Sequence, residues 1–229
     1  HGGAGTLTDA ETLSDVYLKL QSMGAANINL VTPTHFALPI ARSLVISKKS
    51  GLEIPIVFNT SGYERPETLK IFGVLVTIYL TDFKYSDSAL SYKYSSVRDY
   101  EKTAETALDE MLSQTGSPSY YENGMMKSGV IVRDLLLPGY EKDSEKVINY
   151  LYETYKDDIV ISIMNQYTPM ENAEKYPEID RRVTSYEYDK LVNYALDIGV
   201  KNAYIQEGGT QSKSFIPDFD DFDLARFLS

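Results

Sequence analysis

The sequence predicts an α/β fold in which a parallel sheet is wound from helix–strand units around one core. Three observations predict it. Short runs rich in β-branched and aromatic residues alternate with longer runs whose apolar residues recur at helical spacing. Gly or Pro marks most changes of period, and the order helix, strand, helix, strand, helix, strand is that of right-handed βαβ units. At 229 residues and 43% hydrophobic content, the chain suits a single α/β barrel with a sizeable core.

Taken in order, His1-Gly2-Gly3-Ala4-Gly5 is glycine-rich and reads as an internal boundary rather than a natural start. Thr8-Asp9-Ala10-Glu11 has the form of a capping box, with Leu13, Val16, Tyr17, Leu20 and Met23 following at helical spacing and Gly24 ending the helix. Residues 26–31 form a strand that runs out in Thr32-Pro33-Thr34-His35. A helix is expected over 39–50, then a strand over 54–58 ending in Asn59-Thr60-Ser61-Gly62, then a short helix over 66–72 released by Gly73. The run from Val76 to Thr81 is a buried strand whose end turns charged at Asp82 and Lys84. These two stand two residues apart, so on an extended chain both leave the same face.

A short polar helix and a longer one over 97–114 come next, the latter burying Ala104, Ala107, Leu108, Met111 and Leu112. Glu122-Asn123-Gly124 has tight-turn chemistry, which predicts a small hairpin or flap within 119–128. A strand over 129–137 carries Arg133, a helix covers 143–155, and a strand over 159–164 ends in Asn165-Gln166. Thr184-Ser185-Tyr186-Glu187 is a second capping box, its helix reaching Gly199, and Ala203-Tyr204-Ile205 is a last strand leading to Gln206-Glu207. The tail over 215–229 alternates aromatic residues with Asp and is expected to dock on apolar surface. The organisation is thus a barrel domain over 1–214 followed by that acidic-aromatic tail.

Composition excludes several classes of function. A net charge of -11 supplies no phosphate-neutralising surface, so nucleic acid is not an expected partner. No apolar run reaches about 18 residues, so no membrane span is expected. Cysteine is absent, which excludes disulfides and thiolate metal sites within this chain and fits a reducing, cytoplasmic setting. With only His1 and His35, a multi-histidine zinc site is excluded too.

In a barrel the polar strand ends share one rim, on the carboxyl face where such folds place ligands. Thr34, His35, Asn59, Thr60, Ser61, Asp82, Lys84, Asn165, Gln166, Gln206 and Glu207 are the residues so collected. Lys84 reads either as an imine-forming nucleophile or as an ion-pair and carboxylate-binding lysine, and Asp82 beside it favours the second. His35 reads as a site residue or a solvent-facing cap. Arg133, between apolar neighbours, must be paired if buried and is expected to bridge to a rim acid.

At these residues the sequence resembles radical S-adenosylmethionine proteins of the pyruvate formate-lyase activating enzyme-like group. The resemblance is carried by Asn27-Ile28-Asn29-Leu30-Val31-Thr32-Pro33-Thr34-His35, Asn59-Thr60-Ser61-Gly62-Tyr63 and Tyr79-Leu80-Thr81-Asp82-Phe83-Lys84-Tyr85. It continues through Val132-Arg133, Leu137-Pro138-Gly139, Met164-Asn165-Gln166-Tyr167-Thr168-Pro169 and Ile205-Gln206-Glu207-Gly208-Gly209. It implies a partial parallel (β/α)6 TIM-like barrel that here lacks the first strand and the cluster loop. In that family a CxxxCxxC loop holds a [4Fe–4S] cluster, and reductive cleavage of S-adenosylmethionine yields a 5′-deoxyadenosyl radical that abstracts hydrogen, often from a protein glycine.

By the same resemblance, Thr34 and His35 lie at the strand end that binds the methionine amino group, and Asn59 and Ser61 lie beside the cofactor. Asp82 and Lys84 contact its ribose or carboxylate, Arg133 joins the cofactor-binding set, and Asn165 and Gln166 approach the adenine side. The better-studied activases carry Gly-Gly-Glu and an Asp at the first two places, where this chain departs. A glycyl-radical-type protein substrate and an electron donor such as flavodoxin or ferredoxin are the implied partners. Lacking cysteine, the chain by itself is expected to be inactive and to bind no cofactor. Its strand around Ile28 is then an unprotected edge, covered by the tail or paired in a homodimer. A lysine-dependent aldolase or lyase built on Lys84, and a non-catalytic binding relative, are the alternative readings.

Overall fold

A computed structural model describes residues 6–169, 173–206 and 224–228. In chain order the first half comprises α1 (Ala10–Ser22), β1 (Ile28–Val31), α2 (Ala37–Lys49), β2 (Ile56–Thr60), α3 (Pro66–Phe72), β3 (Ile78–Asp82), α4 (Ser88–Ser95) and α5 (Tyr100–Thr115). The second half comprises β4 (Ser119–Tyr120), β5 (Met126–Leu135), α6 (Glu141–Tyr155), β6 (Val160–Met164), α7 (Ser185–Asp197), β7 (Ala203–Ile205) and α8 (Leu224–Leu228). The sheet runs β1-β2-β3-β5-β6-β7, every neighbouring pair parallel, with β4 pairing antiparallel to β5. Among the described residues β1 and β7 do not meet. The expected α/β fold is therefore present as an open, partial TIM-like barrel.

Period-two alternation gives the sheet two different faces. Phe58, Tyr79, Val130, Val132, Ile161 and Ile163 are all buried and join the helices in one continuous core. Helices α1, α2, α3 and α5 pack in succession on that side, and α6 packs on α7. On the opposite face stand Asn29, Val57, Asn59, Ile78, Leu80, Asp82, Ile131, Arg133 and Ser162, by register with one another. This concave face is apolar toward the amino ends of the strands and polar toward their carboxyl ends.

Local chemistry departs from the sequence reading at the first helix start. The N-cap is Asp9, whose carboxylate accepts from the Thr12 N–H at 2.8 Å, so Thr8 is not the cap residue. The Asp9 carboxylate, one residue later, satisfies an orphan donor of the first turn. The second capping box is complete: Thr184 and Glu187 satisfy each other's backbone N–H groups. Glu187 also binds Arg181 through both oxygens and accepts from the Gly139 N–H, tying α7 to the loop after β5. The expected flap is the β4–β5 hairpin, whose turn is closed by the Gly124 N–H donating to Tyr121 O. Glu207, Gly208 and Gly209, and most of the tail from 215, lie outside the described residues; α8 touches α1.

One buried group stands out on the helix side of β5, where Asp134 takes the place of an aliphatic residue. It is 0% exposed, and neither carboxyl oxygen has a hydrogen-bond partner. Burial pushes its pKa up to about 7, against an ordinary 3.8, with the Ser144 hydroxyl opposing and the Asp143 and Asp82 carboxylates adding. The folded chain thus keeps a proton that the unfolded chain releases, and stability falls as pH rises from the unfolded value through about 7. The loss is on the order of 4 kcal/mol at most. Urea denaturation at about pH 5 and about pH 8 should show this decline in the wild type and a much flatter response in Asp134→Asn, which keeps the shape and removes the charge.

Candidate functional site

Because the strands are parallel and in register, the carboxyl ends of β2, β3 and β5 arrive side by side. Asp82 is the register partner of Arg133, and Asn59 lies on β2 across the intervening strand. Arg133 Nη2 stands 2.7 Å from Asp82 Oδ1 and donates to Asn59 Oδ1 at 2.8 Å, with the Thr60 carbonyl at 3.4 Å. The guanidinium therefore ties three strands together on the concave face. Lys84 Nζ lies 3.4 Å from the other Asp82 oxygen, a longer contact, and its side chain is 36% exposed. Four of the nine residues expected at the site thus form one linked cluster: Asn59, Asp82, Lys84 and Arg133.

The pairing leaves defined capacity unused. With Asn59 Oδ1 committed to Arg133, its amide nitrogen is left to donate outward. Arg133 Nε is buried with no hydrogen-bond partner, and so is Thr34 Oγ1 in the 3-10 turn Pro33–Phe36 that follows β1. Lys84, half-buried and beside a carboxylate, is a better ion-pairing group than the desolvated amine that imine formation favours. The arrangement can instead grip a molecule that bears both a carboxylate and hydroxyl or amine groups.

The other expected residues sit around this cluster with different degrees of engagement. Ser61 is half-buried, and its carbonyl accepts from Tyr100 Oη at 2.8 Å. Asn165, buried at the end of β6, donates its N–H to Gln206 Oε1 at 3.0 Å; Gln166 follows, half-buried. Gln206 is held in turn by Tyr188, whose hydroxyl accepts the Gln206 N–H and donates to Ile163 O. His35 is exposed, and no described contact ties it to the Arg133 cluster.

Two features of the rim escaped the sequence reading. Ser162 is the register partner of Arg133 on β6 and so shares the concave face; a lone Ser in the apolar run 159–164 was the available signal. Thr32 adopts φ 51 and ψ 52, the left-handed region, directly after β1, with its N–H donating to Asn59 O at 2.8 Å. A β-branched residue there is strained by roughly 1–2 kcal/mol, and sequence pattern carries no mark of it.

A larger cleft lies elsewhere. It measures about 960 Å³, between the amino ends of β1 and β2 and the hairpin tip, lined by Gly24, Ala26, Glu53, Pro55, Tyr121 and Met125. No cation stands among its lining residues, whereas the carboxyl-end cluster brings two together. The chemistry favours the carboxyl-end cluster.

No family model matches the chain. Among curated proteins it is 28% identical over 172 residues to the uncharacterized protein MJ0674 of Methanocaldococcus jannaschii, covering 74% of this chain and 46% of that protein. Among solved structures it matches a domain of pyruvate-formate lyase-activating enzyme from Bacteroides vulgatus, with TM-score 0.55 and 14% identity, over 79% of this chain and 98% of that one. It also matches Streptococcus suis SuiB bound to S-adenosylmethionine, with TM-score 0.61 and 13% identity, over 90% of this chain and 45% of that one. SuiB bound to its precursor peptide SuiA matches at TM-score 0.60 and 13% identity, with 96% of this chain and 48% of that one covered. What these structures share with it is the fold. The chain spans about half the length of MJ0674 and of SuiB.

Replacing Thr32 with Asn, which tolerates the left-handed region, should stabilise the chain by about 1 kcal/mol in thermal or urea denaturation. An unchanged or lowered stability would show that the Thr32 side chain compensates for its own strain.

Proposed function

We propose that this chain is the S-adenosylmethionine-binding barrel portion of a radical S-adenosylmethionine enzyme of the activating-enzyme kind. The observation that carries the reading is the Arg133-centred cluster, with Lys84 held by a single long contact, at the carboxyl end of an open half-barrel. The fold likeness to a pyruvate-formate lyase-activating enzyme domain and to SuiB bound to S-adenosylmethionine supports it.

The donor set fits the cofactor. The Lys84 ammonium supplies a charge-assisted contact for the methionyl carboxylate. Asp82, kept in place by Arg133, is a fixed acceptor for ribose hydroxyls. Asn59 and Ser61 offer an amide and a hydroxyl, Thr34 and His35 flank the amino-group end, and Asn165 and Gln166 face the adenine. Arg133 holds the wall together and, through its unpaired Nε, keeps one donor in reserve. Bound at this rim, S-adenosylmethionine would supply hydrogen-abstracting chemistry toward a substrate, here proposed to be a polypeptide glycine, while the residues named above would hold and orient it. The [4Fe–4S] cluster does not fit this chain, which contains no cysteine, so its thiolate ligands must come from sequence outside it. Flavodoxin or ferredoxin would be the matching electron donor. Among the described residues the outer edge of β1 has no partner strand, and the tail or a second copy of the chain would cover it.

Against the expectation that the cysteine-free chain binds no cofactor, the donors gathered at the rim should suffice for saturable binding of S-adenosylmethionine in isothermal titration, weakened about tenfold or more in Lys84→Gln by loss of one charge-assisted contact. In a polypeptide that joins this chain to a cysteine-bearing cluster segment, loaded with iron and sulfide, reduction should release 5′-deoxyadenosine. Lys84→Gln should slow that release at limiting cofactor. Binding that is indifferent to Lys84, or an absence of 5′-deoxyadenosine from the loaded protein, would contradict the reading.

A further inference from the structure

Tyr100 opens α5 on the far side of the sheet from the cluster, and no sequence motif marks it. The residue is 3% exposed. Its ring packs edge-on against Phe83 and Tyr85 and lies parallel to Tyr63 at 6.2 Å. Tyr63 in turn donates its hydroxyl to Asp99, the residue capping α5. A core tyrosine needs only its ring for such packing, so the placement of the hydroxyl is the informative feature.

That hydroxyl meets three backbone groups. It donates to Ser61 O at 2.8 Å, with Asp82 O sharing the proton at 3.3 Å, and it accepts from the Lys84 N–H at 3.0 Å. Burial first, with the Asp82 carboxylate adding and the bond from the Lys84 N–H opposing, pushes the phenol pKa up, so the hydroxyl remains a donor. Ser61 belongs to the loop after β2, and Asp82 and Lys84 to the end of β3. Between them the chain passes so closely that a Cβ on Gly62, at φ +82, would stand 2.1 Å from Asp82 O. The two loops touch there, and Tyr100 Oη is bonded to both.

We propose that Tyr100 is a positioning residue. Its hydroxyl sets the separation of the Asn59–Ser61 end of β2 from the Asp82–Lys84 end of β3, and with it the geometry in which the rim meets its ligand. The ligand's identity rests on the S-adenosylmethionine reading; the coupling of the two loops does not.

Hydrogen–deuterium exchange and S-adenosylmethionine calorimetry on Tyr100→Phe test this together. Phe keeps the ring and removes the bonds. Exchange should rise about tenfold, the equivalent of roughly one hydrogen bond, at both the 61–64 and 82–86 segments, while β5 and the rest of α5 stay at wild-type rates. Cofactor affinity should fall by about the same factor. Tyr63→Phe, which keeps the stack and loses only the Asp99 bond, should change neither. Gly62→Ala, whose Cβ would crowd both Asp82 O and Tyr100 Oη, should reproduce the paired local effect and stands in if Tyr100→Phe fails to fold. Exchange that is unchanged at both segments, or that rises evenly along the chain, overturns the proposal, as does wild-type cofactor affinity in a variant whose loops have loosened. If the wild type itself binds no S-adenosylmethionine, the functional reading fails and the exchange pattern alone decides the role of Tyr100.

Discussion

A charged guanidinium on the open face of a parallel sheet has to be paired, and the rim depends on how Arg133 meets that constraint. Its Nη2 engages Asp82 on the neighbouring strand and Asn59 on the strand beyond. Removing either partner would leave a half-buried cation short of acceptors, a cost of up to several kcal/mol. The requirement therefore ties β2, β3 and β5 together at this tier, in addition to the backbone ladder. It also fixes the Asp82 carboxylate and leaves Lys84, two residues on, to reach toward a ligand. Structural pairing and ligand recognition are here two consequences of one arrangement.

The two ends of the sheet differ in kind. Toward the amino ends the concave face is lined by Val57, Ile78, Leu80 and Ile131, and the β4–β5 hairpin folds beside it with Tyr121, Met125 and Met126. This end holds volume but little convergent charge. Toward the carboxyl ends the same strands change from aliphatic to Asn59, Asp82, Arg133 and Ser162. The change occurs within one or two residues on each strand, so register alone concentrates the polar groups into a single tier.

Much of this was legible in the sequence because it depends on period and punctuation. Helix α3 and strand β7 have the expected bounds, and the Glu122-Asn123-Gly124 turn and the Thr184–Glu187 capping box are where their residue chemistry puts them. The Asp82–Lys84 spacing correctly put both charges on one face, and Arg133 did find a rim acid. What could not be read depends on contacts between distant segments. Tyr100 sits 39 positions from Ser61 along the chain and looks like any apolar-face aromatic until the loops are seen together. The left-handed turn at Thr32 goes against the preference of its own residue type, so no local rule could find it. Asp134 occupies an inward position of a buried strand where alternation predicts an aliphatic residue. His35, prominent in the sequence, is exposed, and no described contact ties it to the linked cluster.

The most direct measurement is a backbone-amide NMR map of the isotopically labelled chain during titration with S-adenosylmethionine. The account predicts that the largest shifts fall together on residues 59–62, 82–84 and 133, with residues 121–125 of the hairpin undisturbed. Shifts concentrated on the hairpin and the amino ends of β1 and β2, or scattered without a common face, would contradict it.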